Sequence, residues 1–193
     1  ERVIIIDIDP QGNASTGLGV DEDQRSVSIC DVLRREALLT QACVQTRVPN
    51  LSVVPSTQDL AGLEAELAGV PDRAFRLREA ISRLQIAEAA KVKEERISYV
   101  LIDCPPSLNI LTINSMAAAQ SILVPVQCEF FALEGIVQLA NSIEEVRVAV
   151  NPDLYIQGVV LTMHDGRTNL SNEVASEVRN FFGDKVYNSV IPR

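Results

Sequence analysis

Apolar residues fall in short runs and helical stripes that alternate along the chain. Residues 3–6 are an unbroken run of branched side chains, the pattern of a strand buried on both faces. Residues 28–42 carry Ile29, Val32, Leu33 and Leu39 at helical spacing, and 51–55 read as a short strand. Thr57 is placed to cap a helix running to about residue 68, with Leu60, Leu63 and Leu67 on one stripe and Gly69 ending it. Pro71 opens another helix, with Ala74, Leu77, Ile81 and Leu84 inward. Further strands are predicted at 99–103, 122–127, 158–163 and 186–191. Helices are predicted at 108–119 and at 133–150, the latter stopped by Asn151-Pro152. A last helix is capped by Ser171 or Asn172, turns Val174, Val178, Phe181 and Phe182 inward, and ends at Gly183. The alternation predicts an α/β fold with a doubly wound, mostly parallel sheet.

Two of these strands end on acids. The first runs into Asp7 and Asp9, and Pro10 and Gly12 then turn the chain. The strand at 99–103 ends on Asp103 and is stopped by Pro105 and Pro106. Ligands bind outside the carboxyl ends of strands in open parallel sheets. Carboxylates there need a cation, a donor or water. An isolated D-x-D also fits a solvated acidic turn. A second strand of the same build weighs against that, because an acid ending a buried strand is the Walker B arrangement that holds magnesium.

Composition narrows the picture. The 193 residues, 47% hydrophobic and 22% charged, suit one globular domain over 1–193. No apolar run approaches a membrane span. Four scattered cysteines without a C-x-x-C pair fit reduced thiols rather than disulfides or zinc. The one histidine, His164, reads as a loop residue. A net charge of −9 argues against whole-surface nucleic-acid binding but leaves room for a local basic patch. The three lysines, Lys91, Lys93 and Lys185, follow no glycine-rich loop.

The stretches "IIIDIDPQGNASTGLG", "VLIDCPPSL", "LVPVQCEFFALEG", "GVVLTMHDGRTNLS" and "KVYNSVIPR" resemble the ParA/Soj family of chromosome- and plasmid-partitioning ATPases, of the deviant-Walker class that also holds MinD proteins. The resemblance runs nearly end to end and implies a P-loop NTPase-like fold, ATP and Mg2+. It places Asp9 as the acid that orients the attacking water, with Asp7 and Asp103 on the magnesium side. A carboxylate is a weak base at neutral pH, so Asp9 would position and polarise water rather than first remove a full proton. Gln11, Gly12 and Asn13 become a loop sensing the γ-phosphate. Pro105 falls at a switch after the Walker B strand, or merely ends that strand. Thr162, Met163 and Pro192 fall at the base pocket, although Met163 also suits core packing. Arg167 matches a position implicated in non-specific DNA contact, where charge rather than sequence is read. The resemblance further implies an ATP-dependent homodimer, a ParB-like partner, no membrane, and a cytoplasmic, nucleoid-associated protein.

One departure is large. The family's lysine-bearing "KGGVGKTT"-type loop is not in this sequence, and the family continues beyond Ile191-Pro192-Arg193. The chain therefore reads as an internal fragment, incomplete at both ends and inactive by itself. Two rival readings stand beside this one. A phospho-receiver module shares the acid pair but needs a strand-end lysine, and only Lys185, which precedes its strand, is near. A MinD-like positioning ATPase shares the deviant-Walker chemistry, but "DPQGN" and "CEFFALEG" favour the partitioning branch.

Overall fold

A computed structural model describes residues 1–129 and 132–193, which divide into two compact units, Glu1–Ala118 and Ala119–Arg193. In the first unit, strand β1 (Arg2–Asp7) is followed by a short helix α1 (Asn13–Gly17), then α2 (Ile29–Arg34) and α3 (Leu39–Ala42). Next come β2 (Val44–Gln45), β3 (Leu51–Val54), α4 (Leu63–Glu66), α5 (Arg76–Ala89), β4 (Ile97–Asp103) and α6 (Ile110–Ala118). The sheet order is β2-β3-β1-β4, with β1 parallel to both neighbours and β2 antiparallel to β3. The branched run of β1 is thus paired on both sides. Ile4, Ile6 and Ile8 enter a core with Ile29, Leu33, Leu60, Leu63 and Leu77.

The second unit contains β5 (Ser121–Gln127), α7 (Ala132–Ala149), β6 (Tyr155–His164), α8 (Asn169–Phe182) and β7 (Val186–Pro192). Its sheet, β5-β6-β7, is wholly parallel. Val124, Val126, Val159 and Leu161 meet Ile136, Val174 and Val178 in its core. The α/β class and mostly parallel pairing therefore hold. Phe130 and Phe131 of the "CEFFALEG" stretch lie outside the described residues.

Several expected helices differ in detail. The 28–42 segment breaks into α2 and α3 because Arg35 turns left-handed at φ 69°. The Asp31 carbonyl then takes the N–H groups of Glu36 and Ala37. Residues 58–62 form a 3-10 turn ahead of α4. Thr57 precedes that turn without a side-chain cap, and its buried hydroxyl has no hydrogen-bond partner among the described residues. Pro71 opens no helix, since α5 begins only at Arg76 after another 3-10 turn. Thr168, not Ser171 or Asn172, caps α8 by accepting from the Ser171 N–H at 3.3 Å. Phe181 points outward and is 55% exposed, because Val174, Ala175 and Val178 fill the buried face of α8. His164 closes β6 instead of lying in a loop.

Candidate functional site

Asp7 and Asp103 end adjacent parallel strands and are register partners, with Ile8 N–H donating to the Asp103 carbonyl at 2.8 Å. Asp7 is fully buried. Its Oδ2 accepts from Ser15 twice, from the backbone N–H at 2.7 Å and the hydroxyl at 2.6 Å. Its Oδ1 accepts from Asp9 N–H at 3.2 Å. Asp9 lies two residues on, where its Oδ1 accepts from Gln11 N–H at 3.0 Å and its carbonyl takes Gly12 N–H at 2.9 Å. Gly12 is buried and left-handed at φ 63°, the geometry that lets the chain turn from β1 into α1. Gln11 and Asn13 flank it and are exposed.

Residues far along the chain close this turn. The Ser56 hydroxyl, just past β3, donates to the Asp9 carbonyl at 2.5 Å, and Ser56 N–H donates to Ser15 Oγ at 3.1 Å. Arg25 donates from Nη1 to the Ser56 carbonyl and from Nη2 to Thr16 Oγ1 and the Val20 carbonyl.

Burial raises the Asp103 carboxyl above the usual aspartate range, and the nearby charges of Asp7 and Asp9 add to the rise. Hard oxygen donors in mutual repulsion suit a hard divalent cation. Among the described residues no three His, Cys, Asp or Glu side chains form a ready-made cage. That fits Mg2+, which usually takes one or two carboxylates and leaves other positions to phosphate and water. Asp7 and Asp103 are the residues that would hold it.

Pro105 is buried, and its carbonyl accepts from Thr112 Oγ1 at 3.1 Å. Asn109 Oδ1 takes the N–H groups of Leu111 and Thr112, so the segment after Asp103 is tied to the start of α6.

In the second unit, Thr162, Met163 and Pro192 lie at the carboxyl ends of β6 and β7. The Thr162 carbonyl accepts from Cys128 N–H at 3.0 Å, and His164 is the register partner of Pro192. Met163 is left-handed at φ 54°, a costly backbone state for a side chain of this size. Arg167 is 90% exposed at its side chain and forms a forked pair with Asp165, Nε to Oδ1 at 2.9 Å and Nη2 to Oδ2 at 2.8 Å. Those side-chain bonds hold the Asp165 carboxyl far below the usual range. The loop therefore presents a neutralised pair, not a free cation.

Sequence reasoning missed Ser15, Ser56, Arg25 and Asp165. Only Asp165 had a local signal, the Asp-Gly-Arg spacing that brings the two charges within reach. Ser56 and Arg25 act across the fold, and nothing near them in sequence marks them out.

The profile of a family described as an AAA domain matches residues 1–156. The chromosome partitioning protein ParA of Caulobacter vibrioides is 53% identical over all 193 residues, which span 70% of that protein. Soj of Bacillus subtilis, named a sporulation initiation inhibitor protein, is 46% identical over the whole chain and 73% of its own length. Among solved structures, cobyrinic acid a,c-diamide synthase of Mycobacterium smegmatis with bound ATP analog and magnesium superposes with a TM-score of 0.88 at 36% identity. That match covers all of this chain and 75% of that one. The acid-ended strands and these relatives together place the chain in the ParA/Soj family of chromosome-partitioning ATPases.

Proposed function

We propose that the 193 residues form part of one ATPase domain that drives DNA partitioning, with Asp9 orienting the attacking water and Asp7 and Asp103 holding Mg2+. The observation that carries this is the register pairing of Asp7 with Asp103 at adjacent strand ends, with Asp9 two residues beyond. Mg2+, when bound, offsets the phosphate charge. The work of this chain is positioning. The buried Asp7 is fixed by Ser15, and the Asp9 backbone is fixed by Ser56. Gln11, Gly12 and Asn13 form the turn that would respond to the γ-phosphate. Pro105, tied to α6 through Thr112, would carry a change at Asp103 into that helix.

Thr162, Met163 and Pro192 are proposed on the base side, supported by the family resemblance and by their shared place at the end of one sheet. Arg167 is proposed to contact DNA phosphates without sequence preference, in an ATP-dependent homodimer whose turnover a ParB-like partner stimulates. A cytoplasmic, nucleoid-associated protein follows from that reading. The membrane has no place in it; separately, no helix among the described residues is long and apolar enough to cross one. A lysine-bearing glycine loop does not occur in these residues, so by themselves they are proposed to bind and hydrolyse ATP negligibly.

The experiment is Asp9→Ala in the full-length protein. ATP and Mg2+ binding should persist while turnover falls roughly 10²- to 10⁴-fold, the range for loss of a group acting on a proton in the transition state. Unchanged turnover would remove Asp9 from the reaction.

A further inference from the structure

Asp7 does not stand alone. Ser15, itself fully buried, gives both of its donors to Oδ2 of Asp7, and its hydroxyl oxygen accepts from Ser56 N–H. The Ser56 hydroxyl then reaches the Asp9 carbonyl. The result is a closed circuit, Asp7–Ser15–Ser56–Asp9, joining the end of β1, the first turn of α1 and the residue just past β3. Ser15 Oγ donates to Asp7, because an ionised carboxylate can only accept, and still has a lone pair for Ser56 N–H.

We infer that Ser15 is a positioning residue for magnesium, holding the Asp7 carboxylate in one orientation through two bonds to Oδ2. A carboxylate has about four lone-pair directions. Ser15 takes two of them on Oδ2, and Oδ1 holds only the long bond from Asp9 N–H. The carboxylate is thereby kept in one rotamer before the cation arrives. Outer partners of this kind orient metal-binding carboxylates, and their loss commonly costs 10- to 100-fold in metal affinity. The Ser56 N–H makes the hydroxyl a better donor by polarising it along the chain of bonds.

This inference rests on the Mg2+ reading of Asp7, and the test separates the two. Mn2+ serves as the probe, titrated into the full-length protein with ADP and followed through the electron paramagnetic resonance signal of the free ion. Ser15→Ala should raise the apparent Mn2+ dissociation constant about 10- to 100-fold. Half-saturation by nucleotide at saturating metal should not move. Asp7→Asn is the reference and should abolish the tight Mn2+ site. Ser15→Cys keeps the size with a weaker donor, and supplies the reading should Ser15→Ala fail to fold in a metal-free melt. If Asp7→Asn loses the ion while Ser15→Ala or a folded Ser15→Cys binds within about twofold of wild type, short of the usual outer-partner loss, the positioning role is overturned. If Asp7→Asn binds Mn2+ as wild type does, the Asp7 assignment fails and this inference with it.

Discussion

Asp7 and Asp103 face each other in register across two parallel strands, one fully buried and the other partly exposed. Desolvation raises the Asp103 carboxyl, and without a cation the charges of Asp7 and Asp9 add to the rise. In the fold Asp103 keeps its proton to a higher pH than in the unfolded chain. Above the ordinary aspartate value of 3.8 the folded state then binds more protons than the unfolded one, so stability falls as pH rises through the raised pKa.

Asp103→Asn should therefore flatten that pH slope in EDTA and raise the metal-free melting temperature at neutral pH. The same change should weaken Mg2+ binding. Thermal melts across pH, with and without Mg2+, measure both. A slope unaltered by the substitution would mean that the fold does not raise the Asp103 carboxyl.

Gly12 is the tightest point of the loop. A Cβ there would come within 2.6 Å of Arg25 Nη1, and φ is 63°. Gly12→Ala should cost about 1–2 kcal/mol from the left-handed backbone alone. Arg25 must also swing away from the Ser56 carbonyl. Denaturant unfolding gives the loss, and a cost near zero would show that the loop adopts another turn.

Arg167 is paired with Asp165 in the free protein. Asp165→Asn should release the guanidinium and strengthen DNA binding by the full-length dimer at low salt. Arg167→Ala should weaken it and reduce the salt slope by about 0.9, one phosphate contact. DNA titrations over a range of salt decide this. Equal slopes for wild type and Arg167→Ala would leave Arg167 as plain surface.

The 193-residue chain alone should show negligible heat on titration with ATP–Mg2+. Like charges on carboxylates and polyphosphate oppose each other unless a cation and a phosphate-binding loop intervene. Micromolar binding in calorimetry would place the phosphate site among these residues. Solubility should be poor, since Tyr99 and Leu101 on the edge strand β4, and Leu123 on the edge strand β5, are each more than half exposed.

The sequence by itself determined the acid-ended strands and the class of fold. A run such as Val3–Ile6 followed by Asp7, Asp9 and Pro10 reports burial and its end locally. Asp103 follows the same rule, so both carboxylates were legible before any pairing was known. Hydrophobic periodicity also placed the faces of α5 and α7, because burial repeats with the helical turn.

Tertiary structure decided what that periodicity cannot encode. The break at Arg35 follows from a left-handed residue inside an otherwise helical stripe, and no apolar spacing marks it. Phe181 has the hydrophobicity of a core residue but sits on the wrong side of α8. Ser15 and Ser56 meet across 41 residues only because β3 lies parallel beside β1 in one register. A hydroxyl looks alike in a loop and in a carboxylate's hydrogen-bond shell until the strands are aligned. Pairing of β1 with β4 sets Asp7 against Asp103, and its pairing with β3 carries Ser56 to Ser15, so sheet pairing, not residue type, made these serines part of the site.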